Sequence, residues 1–374
     1  METHEELLTW ATSQGIKLNG IAPKTIPGRG IGLIATRTIK PEETLLEVPT
    51  ACIRSIDTVR KSIIRHLPKT ISVHGLLAAD LALDTSSKYA AWNAVCPTLE
   101  DLTSMPLVWP AGLRVHLPKA SRDLLAKQDA KLRRDWAAVS AAFPHLSEQR
   151  YAYAWMLVNT RTFYYVNAKL KRRGRDDHMC LQPVADLFNH ADDGCHVVFG
   201  HDGFAIKSER RYAKGDEMKI CYGGHSGDFL LVEYGFVMDE NRWDEVLLDD
   251  VLLPRLNARQ KQKLEEAGFL GKYVLDHETV CYRTQIAVRL LCCGVREWKR
   301  IVDGINDGER SQRQADQIIL EVLKELKRNA DKTISEVEAL GVGDQHQRDV
   351  LVKRWRQIQD LADTNVARLE DDRR

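Results

Sequence analysis

The sequence predicts an α+β fold: a β-rich core in two pieces, split by a helical insert and followed by an all-helical C-terminal lobe. Short apolar runs with β-branched residues, separated by turn residues, occupy positions 21–56 and 180–245, which is the pattern of strands. Residues 57–165 and the chain beyond about 255 instead repeat apolar residues at helical spacing. We therefore expect segments that are distant along the chain to build one β-rich unit.

The first half of the chain is predicted to contain a short helix, then two strands, and then further helices. Leu7 and Trp10 have the spacing of a short amphipathic helix that ends near Gly15. The apolar runs 33–36 and 45–49 are short and separated by a Lys-Pro-Glu-Glu turn, which predicts two strands. Helical spacing then follows in the stretches 75–83, 124–143 and 151–163.

Strand and turn signals return after residue 180. Apolar runs at 195–199, 204–206 and 218–222 are separated by turns rich in Asp and Gly. Beyond residue 255 the pattern predicts helices, two of them with one clear apolar face. These faces consist of Ala315, Ile318, Ile319, Val322 and Leu326 in one helix, and of Leu351, Trp355, Ile358, Ala362 and Val366 in the other.

Charge and cysteine content limit the classes of protein to be considered. Lys and Arg total 54 and Asp and Glu total 53, so the net charge of +1 excludes the bulk positive field of a nucleic-acid coat protein. Eight cysteines without a C-x-x-C pair favour reduced thiols over a disulfide scaffold. No secretory signal and no apolar run of about 18 residues is visible. We therefore expect a protein of the cytoplasm, the nucleus or both, without a membrane partner.

The glycine cluster at Gly28, Gly30 and Gly32 is a weak match to a dinucleotide-binding motif. Its spacing is G-x-G-x-G, and the residues after it have strand character, whereas that motif needs G-x-G-x-x-G and a following helix. The glycines are better explained by a tight turn or by close approach of the backbone to a ligand.

Three further patterns each have a simpler interpretation. Residues 224–228 resemble a nucleophile elbow but have Asp where the motif needs Gly, which favours a surface turn. A set of acidic, His and Cys residues matches no metal-ligand spacing, namely Asp186, His190, Asp192, Asp193, Cys195, His196 and His201. A basic run could attract RNA or an acidic surface, although a solvated loop is simpler and nucleic acid is not expected; it comprises Lys169, Lys171, Arg172, Arg173 and Arg175.

Three segments, in this order, resemble the SET-domain methyltransferases. Residues 27–35 (Pro-Gly-Arg-Gly-Ile-Gly-Leu-Ile-Ala) are similar to the glycine-rich opening of that family. Residues 185–190 (Ala-Asp-Leu-Phe-Asn-His) resemble its Asn-His signature, and residues 214–223 (Lys-Gly-Asp-Glu-Met-Lys-Ile-Cys-Tyr-Gly) resemble its closing motif. Each match alone is weak, but their order, with Glu-Tyr-Gly-Phe-Val at 233–237, is specific.

The long insert and the helical C-terminal lobe are similar to the Rubisco large-subunit methyltransferase-like branch, whose members modify non-histone proteins. This resemblance extends over nearly the whole chain. It implies an N-terminal helix with the first part of the SET core at 1–56, a helical insert (i-SET) at 57–175 and the second part of the core at 176–248. Residues 249–374 would form the substrate-binding lobe.

The resemblance also implies a cofactor and a set of site residues. S-adenosylmethionine would be the methyl donor and S-adenosylhomocysteine the product, and no metal is expected because no cysteine-rich zinc segment follows residue 240. Tyr222 matches the catalytic tyrosine, and Tyr234 and Phe163 would contact the substrate. The donor-binding residues would be Arg29, Gly30, Ile31, Thr160, Arg161, Asp186, Asn189, His190, Tyr222 and Phe236.

The implied activity is protein-lysine N-methylation of a non-histone protein, for example a ribosomal protein or a translation factor. Two alternatives stay open: methylation of a protein histidine, and a catalytically silent SET-like scaffold that binds partners. The chain departs from the family pattern at Arg29, where the plant relative has an acidic residue, and at Ala191, where a Ser is common. At position 29 the expected contact with the donor is therefore made by the backbone.

Overall fold

The computed structural model of the protein describes residues 3–165, 174, 178–199 and 203–371. The chain divides into two compact units, each made of two pieces of sequence. The first unit comprises Met1–Leu102 and Lys127–Gly224, and the second comprises Thr103–Ala126 and His225–Arg374.

The first unit contains a seven-stranded sheet and a three-stranded sheet among the described residues. The strands are β1 (Lys17–Leu18), β2 (Ile21–Ile26), β3 (Gly30–Ala35), β4 (Thr44–Pro49), β5 (Arg54–Ser55), β6 (Thr162–Tyr164), β7 (Met179–Leu181), β8 (Asn189–Phe199), β9 (Gly203–Lys207) and β10 (Glu217–Ile220). The larger sheet has the order β1-β4-β9-β8-β10-β3-β2, and the smaller has the order β5-β7-β6. Strands from both β-rich segments therefore share one sheet, which confirms the split core that the sequence predicts.

Alternating burial explains why two central segments form strands. In β4 the side chains of Leu46 and Val48 are buried, whereas Glu47 between them is exposed. Phe204 and Ile206 of β9 are buried in the same alternating manner. Because Val48 pairs with Phe204 and Leu46 with Ile206, the two strands bury their apolar residues side by side.

The parallel pairing of β8 with β10 contains a register shift at the Asn-His signature. Asn189 pairs with Lys219, and Cys195 pairs with the next residue, Ile220, so the intervening residues of β8 bulge out of the ladder. A glycine is required at 194, because a Cβ there would lie 2.4 Å from the carbonyl oxygen of Lys219. His190 is the first residue of this bulge.

The first half of the chain contains seven helices among the described residues: α1 (Thr3–Ser13), α2 (Lys61–Ile64), α3 (Val73–Ala82), α4 (Ala90–Asn93), α5 (Ala111–Arg114), α6 (Lys119–Ala142) and α7 (Glu148–Arg161). Ser147 caps α7 by accepting a hydrogen bond from the N–H of Arg150. The helical spacing predicted one helix up to residue 163, but α7 ends at Arg161. The next residues form β6, whose β-branched and aromatic side chains suit the strand that pairs with β7.

The second unit is mainly helical. After α5 and the start of α6, it contains α8 (Gly227–Tyr234), α9 (Asp249–Leu252), α10 (Ala258–Glu266), α11 (Tyr282–Cys292), α12 (Val295–Val302), α13 (Gln312–Glu338) and α14 (Gln345–Asp371). The apolar faces predicted for the last two helices are confirmed, because all their residues except Leu351 belong to, or pack against, one hydrophobic core, and Leu351 is itself fully buried.

A pair of short strands interrupts this helical lobe. Strand β11 (Glu245–Leu247) pairs antiparallel with β12 (Val274–Asp276). Strand β12 lies beyond residue 255, where the sequence predicted only helices, because a three-residue strand is too short to show an alternating pattern. The carboxylate of Asp249 stabilises the connection by accepting hydrogen bonds from the N–H groups of Lys272 and Tyr273.

Candidate active site

The glycine-rich opening forms the turn of the β2–β3 hairpin. Gly28 and Gly30 have φ values of +72° and +69°, in the left-handed region that glycine adopts without steric cost. A Cβ at either position would meet no atom within 4 Å, so the space beside the hairpin tip is open. The predicted donor-contacting backbone of Arg29, Gly30 and Ile31 lies at this tip. Since the turn joins two strands, the dinucleotide interpretation lacks the helix it needs.

Glu217, the first residue of β10, connects this hairpin to the Asn-His signature. Its Oε2 lies 3.0 Å from Nη2 of Arg29, and its Oε1 accepts a hydrogen bond of 2.8 Å from Nδ2 of Asn189. Glycine is required at position 32, because a Cβ there would lie 2.8 Å from that same Nδ2. Because the amide nitrogen of Asn189 is directed at Glu217, the amide oxygen of the same side chain points away from Glu217. Sequence reasoning missed Glu217 as a site residue, although the closing motif contains it.

Tyr222 and His190 contact each other directly. The backbone N–H of Tyr222 donates to Nδ1 of His190 over 3.1 Å, and the two rings lie 4.9 Å apart between centroids. The Tyr222 hydroxyl donates to the backbone carbonyl oxygen of Phe188 over 2.7 Å. Because Nδ1 accepts a hydrogen bond, a neutral His190 ring carries its proton on Nε2.

A buried ion pair lies in the same unit. Nη1 of Arg161 lies 3.0 Å from Oδ2 of Asp186 and also donates to its backbone oxygen. The indole N–H of Trp92 lies 3.2 and 3.1 Å from the two carboxylate oxygens of Asp186. Sequence reasoning did not find Trp92, because a tryptophan in a helical stretch has the pattern of an ordinary core residue.

Burial and charge act in opposite directions on this pair. Burial raises the pKa of the Asp186 carboxyl, and the charge of Arg161 and the N–H of Trp92 oppose that rise. Burial alone would lower the pKa of the Arg161 guanidinium, but negative charge, chiefly that of Asp186, outweighs it and raises the pKa. The guanidinium therefore keeps its positive charge.

The other predicted residues of the first unit lie at the end of α7 and just after it. The Thr160 hydroxyl donates to the carbonyl oxygen of Met156 over 2.9 Å, so its side chain is bonded to its own helix. Phe163 is half-buried in β6, with its ring edge-to-face against Phe204 at 5.2 Å between centroids. Phe163 is thus part of an aromatic contact between the two sheets of this unit.

Tyr234 and Phe236 belong to the second unit. Tyr234 is the last residue of α8, and Phe236 follows Gly235, which ends the helix with a φ of +81°. The two rings lie 6.2 Å apart between centroids. Burial, together with the charge of Glu233, raises the pKa of Tyr234 to about 12, so its hydroxyl stays protonated at neutral pH. The structure brings the remaining predicted site residues into the first unit.

The weaker sequence patterns have structural explanations or lie outside the described ranges. Ser226 caps α8 by accepting a hydrogen bond from the N–H of Phe229, which accounts for the elbow-like segment. In the part of the chain that the structure describes, no group of three or more His, Cys, Asp or Glu residues could hold a metal ion. His201 and, apart from Gly174, the basic run 169–175 lie outside the described residues.

Two further features concern the chain as a whole. All eight cysteines are free thiols. No helix within the described ranges is long and apolar enough to cross a membrane.

Comparison with known proteins shows which families and solved structures the chain is similar to. Residues 30–223 match the SET domain, and residues 244–368 match the C-terminal domain of ribosomal lysine N-methyltransferase 2. Ribosomal lysine N-methyltransferase set11 of Schizosaccharomyces pombe is 23% identical over 91% of each chain. Human actin-histidine N-methyltransferase is 25% identical over 70% of this chain and 47% of its own. The structure of Rubisco LSMT bound to AdoMet superposes with a TM-score of 0.62 at 16% identity, covering 99% of this chain and 94% of that one.

The chain belongs to the SET-domain family. Its split core and helical lobe define an enzyme that transfers a methyl group from S-adenosylmethionine to a protein. The chain also has the fold of Rubisco LSMT over 99% of its length, at 14% identity, and this likeness confirms the resemblance seen in the motifs.

Proposed function

We propose that this S-adenosylmethionine-dependent protein-lysine N-methyltransferase modifies a lysine of a ribosomal protein. The match of residues 244–368 to the C-terminal domain of a ribosomal lysine methyltransferase supports this substrate class. The relative set11, named for the same activity, aligns with 91% of this chain, so the similarity includes the helical lobe as well as the core. We place the reaction in the cytoplasm, the nucleus or both.

The residues of the first unit fit the donor. When bound, S-adenosylmethionine supplies a methyl group that is electrophilic because it is attached to a positively charged sulfur. The open space beside the glycine hairpin would admit it, with the backbone at Arg29, Gly30 and Ile31 forming one side. We assign the other contacts of this unit to Thr160, Arg161, Asp186, Asn189, His190 and Tyr222.

The observation that carries the proposed mechanism is the position of Tyr222. Its hydroxyl is held by the carbonyl oxygen of Phe188, and its backbone is held by His190. A hydroxyl fixed in this way can orient an incoming amine without adding a charge, and its ring can face a cationic methyl group. Holding nucleophile, methyl group and leaving sulfur in line can contribute about 7–11 kcal/mol.

The lysine amine must be neutral when it attacks. Its free pKa is about 10.4, so deprotonation at neutral pH costs about 4–5 kcal/mol. The positively charged sulfur of the bound donor would lie beside this amine, and a positive charge near a desolvated amine lowers the pKa of that amine. We assign contacts with the substrate chain to Phe163 and Tyr234.

A histidine acceptor is the second candidate, and the similarity to an actin-histidine N-methyltransferase favours it. A histidine acceptor needs far less help to reach its neutral form, since the imidazolium loses its proton with a free pKa of about 6.5. A silent scaffold would not require the bonded arrangement of Tyr222, His190 and Phe188 that the structure contains.

The proposal is tested by incubating the purified enzyme with labelled donor and with ribosomes from cells that lack the enzyme. Mass spectrometry at residue level then identifies the labelled site, and Tyr222→Phe serves as the inactive control. Labelling of a ribosomal lysine supports the proposal. Labelling of a ribosomal histidine, or of no ribosomal lysine, overturns it.

A further inference from the structure

We propose that Trp92, in the short helix α4 of the insert, is a positioning residue for Tyr222. This inference rests on the role given to Tyr222 under the proposed function. Trp92 acts through Asp186, which is 94 residues away in sequence, and through the turn that begins beside it. Neither the family motifs nor the donor-binding residues include this tryptophan.

Trp92 donates its hydrogen bond to a carboxylate that is buried away from water. The Trp92 side chain is 2% exposed, and the Asp186 side chain is fully buried. A buried carboxylate needs donors in place of the water it has lost, and an unpaired one is costly. The indole N–H lies within 3.2 Å of both carboxylate oxygens, so it complements the contact with Arg161.

The turn after this carboxylate carries the acceptor of the Tyr222 hydroxyl. Asp186 lies in a single helical turn, Ala185–Leu187, and the N–H of Phe188 donates back to the carbonyl oxygen of Ala185. The carbonyl oxygen of Phe188 then receives the Tyr222 hydroxyl. Val184, just before the turn, has a φ of +69°, a strained conformation for a β-branched residue. Contacts with neighbouring residues must hold such a turn in this conformation. The hydrogen bond from Trp92, which lies in the helical insert, is one of these contacts.

The same hydrogen bond affects the charge of the site. Asp186 pairs with Arg161 of α7, and Cys96, in the segment after α4, is the further titratable group whose charge acts on both. Since the Trp92 N–H opposes the rise of the Asp186 pKa caused by burial, its removal raises that pKa further. Protonated Asp186 would no longer pair with Arg161, so turnover would be lost at a higher pH than in the wild type.

The test compares two tryptophans of the first unit. In Trp92→Phe the aromatic packing stays and the N–H is lost. We expect kcat at saturating donor to fall about tenfold or more. The acidic limb of the pH–kcat profile should move to higher pH. Trp92→His, which restores a ring N–H, should recover part of kcat. The matched control is Trp155→Phe, because Trp155 is also fully buried and its indole donates over 3.1 Å to Asp135.

The outcomes separate this inference from the assignment of Tyr222. Melting temperatures show whether each variant folds, and Trp155→Phe should lose stability like Trp92→Phe but keep its kcat and pH profile. If Tyr222→Phe turns over normally, the role of Tyr222 fails and this inference fails with it. If Tyr222→Phe is inactive while Trp92→Phe matches the wild type in kcat and pH profile, only the role of Trp92 is overturned. Equal kcat losses in Trp92→Phe and Trp155→Phe would also overturn it.

Discussion

The hydroxyl of Tyr222 donates a 2.7 Å hydrogen bond to the backbone carbonyl oxygen of Phe188. This bond connects the closing motif to the segment 185–190 that carries the Asn-His pair. A phenol has one proton to donate, and with that proton directed at Phe188 its oxygen presents lone pairs to a donor such as an amine N–H. The geometry therefore suits a tyrosine that orients a nucleophile rather than one that removes its proton.

We expect Tyr222→Phe to bind S-adenosylmethionine normally and to lose most of its turnover, about a hundredfold or more. Phenylalanine keeps the ring beside His190 but lacks the oxygen that would orient the amine. Calorimetry measures donor binding, and incorporation of labelled methyl groups measures turnover.

The matched control for this variant is Tyr151→Phe. Tyr151 is fully buried in the same unit, and its hydroxyl also donates to a backbone carbonyl oxygen, that of Gly75, over 3.3 Å. It should keep kcat even if it loses some stability. Near-wild-type methylation by Tyr222→Phe would contradict the role assigned to the tyrosine.

Glu217→Ala should weaken donor binding about tenfold while leaving kcat at saturating donor within about twofold. The carboxylate holds both Arg29 at the hairpin and Nδ2 of Asn189, so its loss frees two elements of the proposed donor site. Calorimetric titration with S-adenosylmethionine measures the effect. Glu43→Ala is the control, because it removes a partner of Arg37 elsewhere in the unit. Equal donor affinity in the two variants would show that Glu217 does not organise the site.

The sequence predicted the parts of the fold that depend on local pattern. The glycine-rich opening, the Asn-His segment and the closing motif were found because each is a short run of sequence that resembles a motif of the SET-domain family. The apolar faces of α13 and α14 were predicted because 27-residue helices repeat their pattern many times.

The missing parts depend on contacts between distant side chains. Trp92 and Asp186 are 94 residues apart, and Asn189 and Glu217 are 28 apart, so no periodicity or motif connects them. The strands β11 and β12 were missed because three residues cannot establish an alternating pattern. Pairings of this kind become visible only when the chain has folded.

The stability of the first unit should fall as the pH decreases, because of His74. Burial, and then the charge of Lys131, lower the pKa of His74 to about 3. An unfolded chain binds this proton with a pKa of about 6.5, so between about pH 6.5 and about pH 3 the unfolded state holds a proton that the folded state rejects. The free energy of unfolding should therefore decrease throughout that interval. Urea denaturation at a series of pH values measures it.

His74→Gln tests the origin of that pH dependence. Glutamine can still accept a hydrogen bond from Lys131, as Nδ1 of His74 does at 3.0 Å, but it does not titrate. The slope of unfolding free energy against pH should decrease by about one proton in this variant. The exposed His145 provides the control, since His145→Gln should leave the slope unchanged. An unchanged slope in His74→Gln would assign the acid sensitivity to other groups.

Arg354→Met should destabilise the second unit by about 3–5 kcal/mol. Arg354 of α14 is fully buried, and its guanidinium lies 2.9 Å from a carboxylate oxygen of Asp228 and 2.6 Å from one of Asp244. Without it, two buried carboxylates face each other with no cation to balance them. Urea denaturation should show a lower free energy of unfolding for Arg354→Met, whereas Lys327→Met, which removes an exposed partner of Asp363, should cost less than about 1 kcal/mol. Equal effects of the two substitutions would mean that the buried cluster contributes no more than a surface pair.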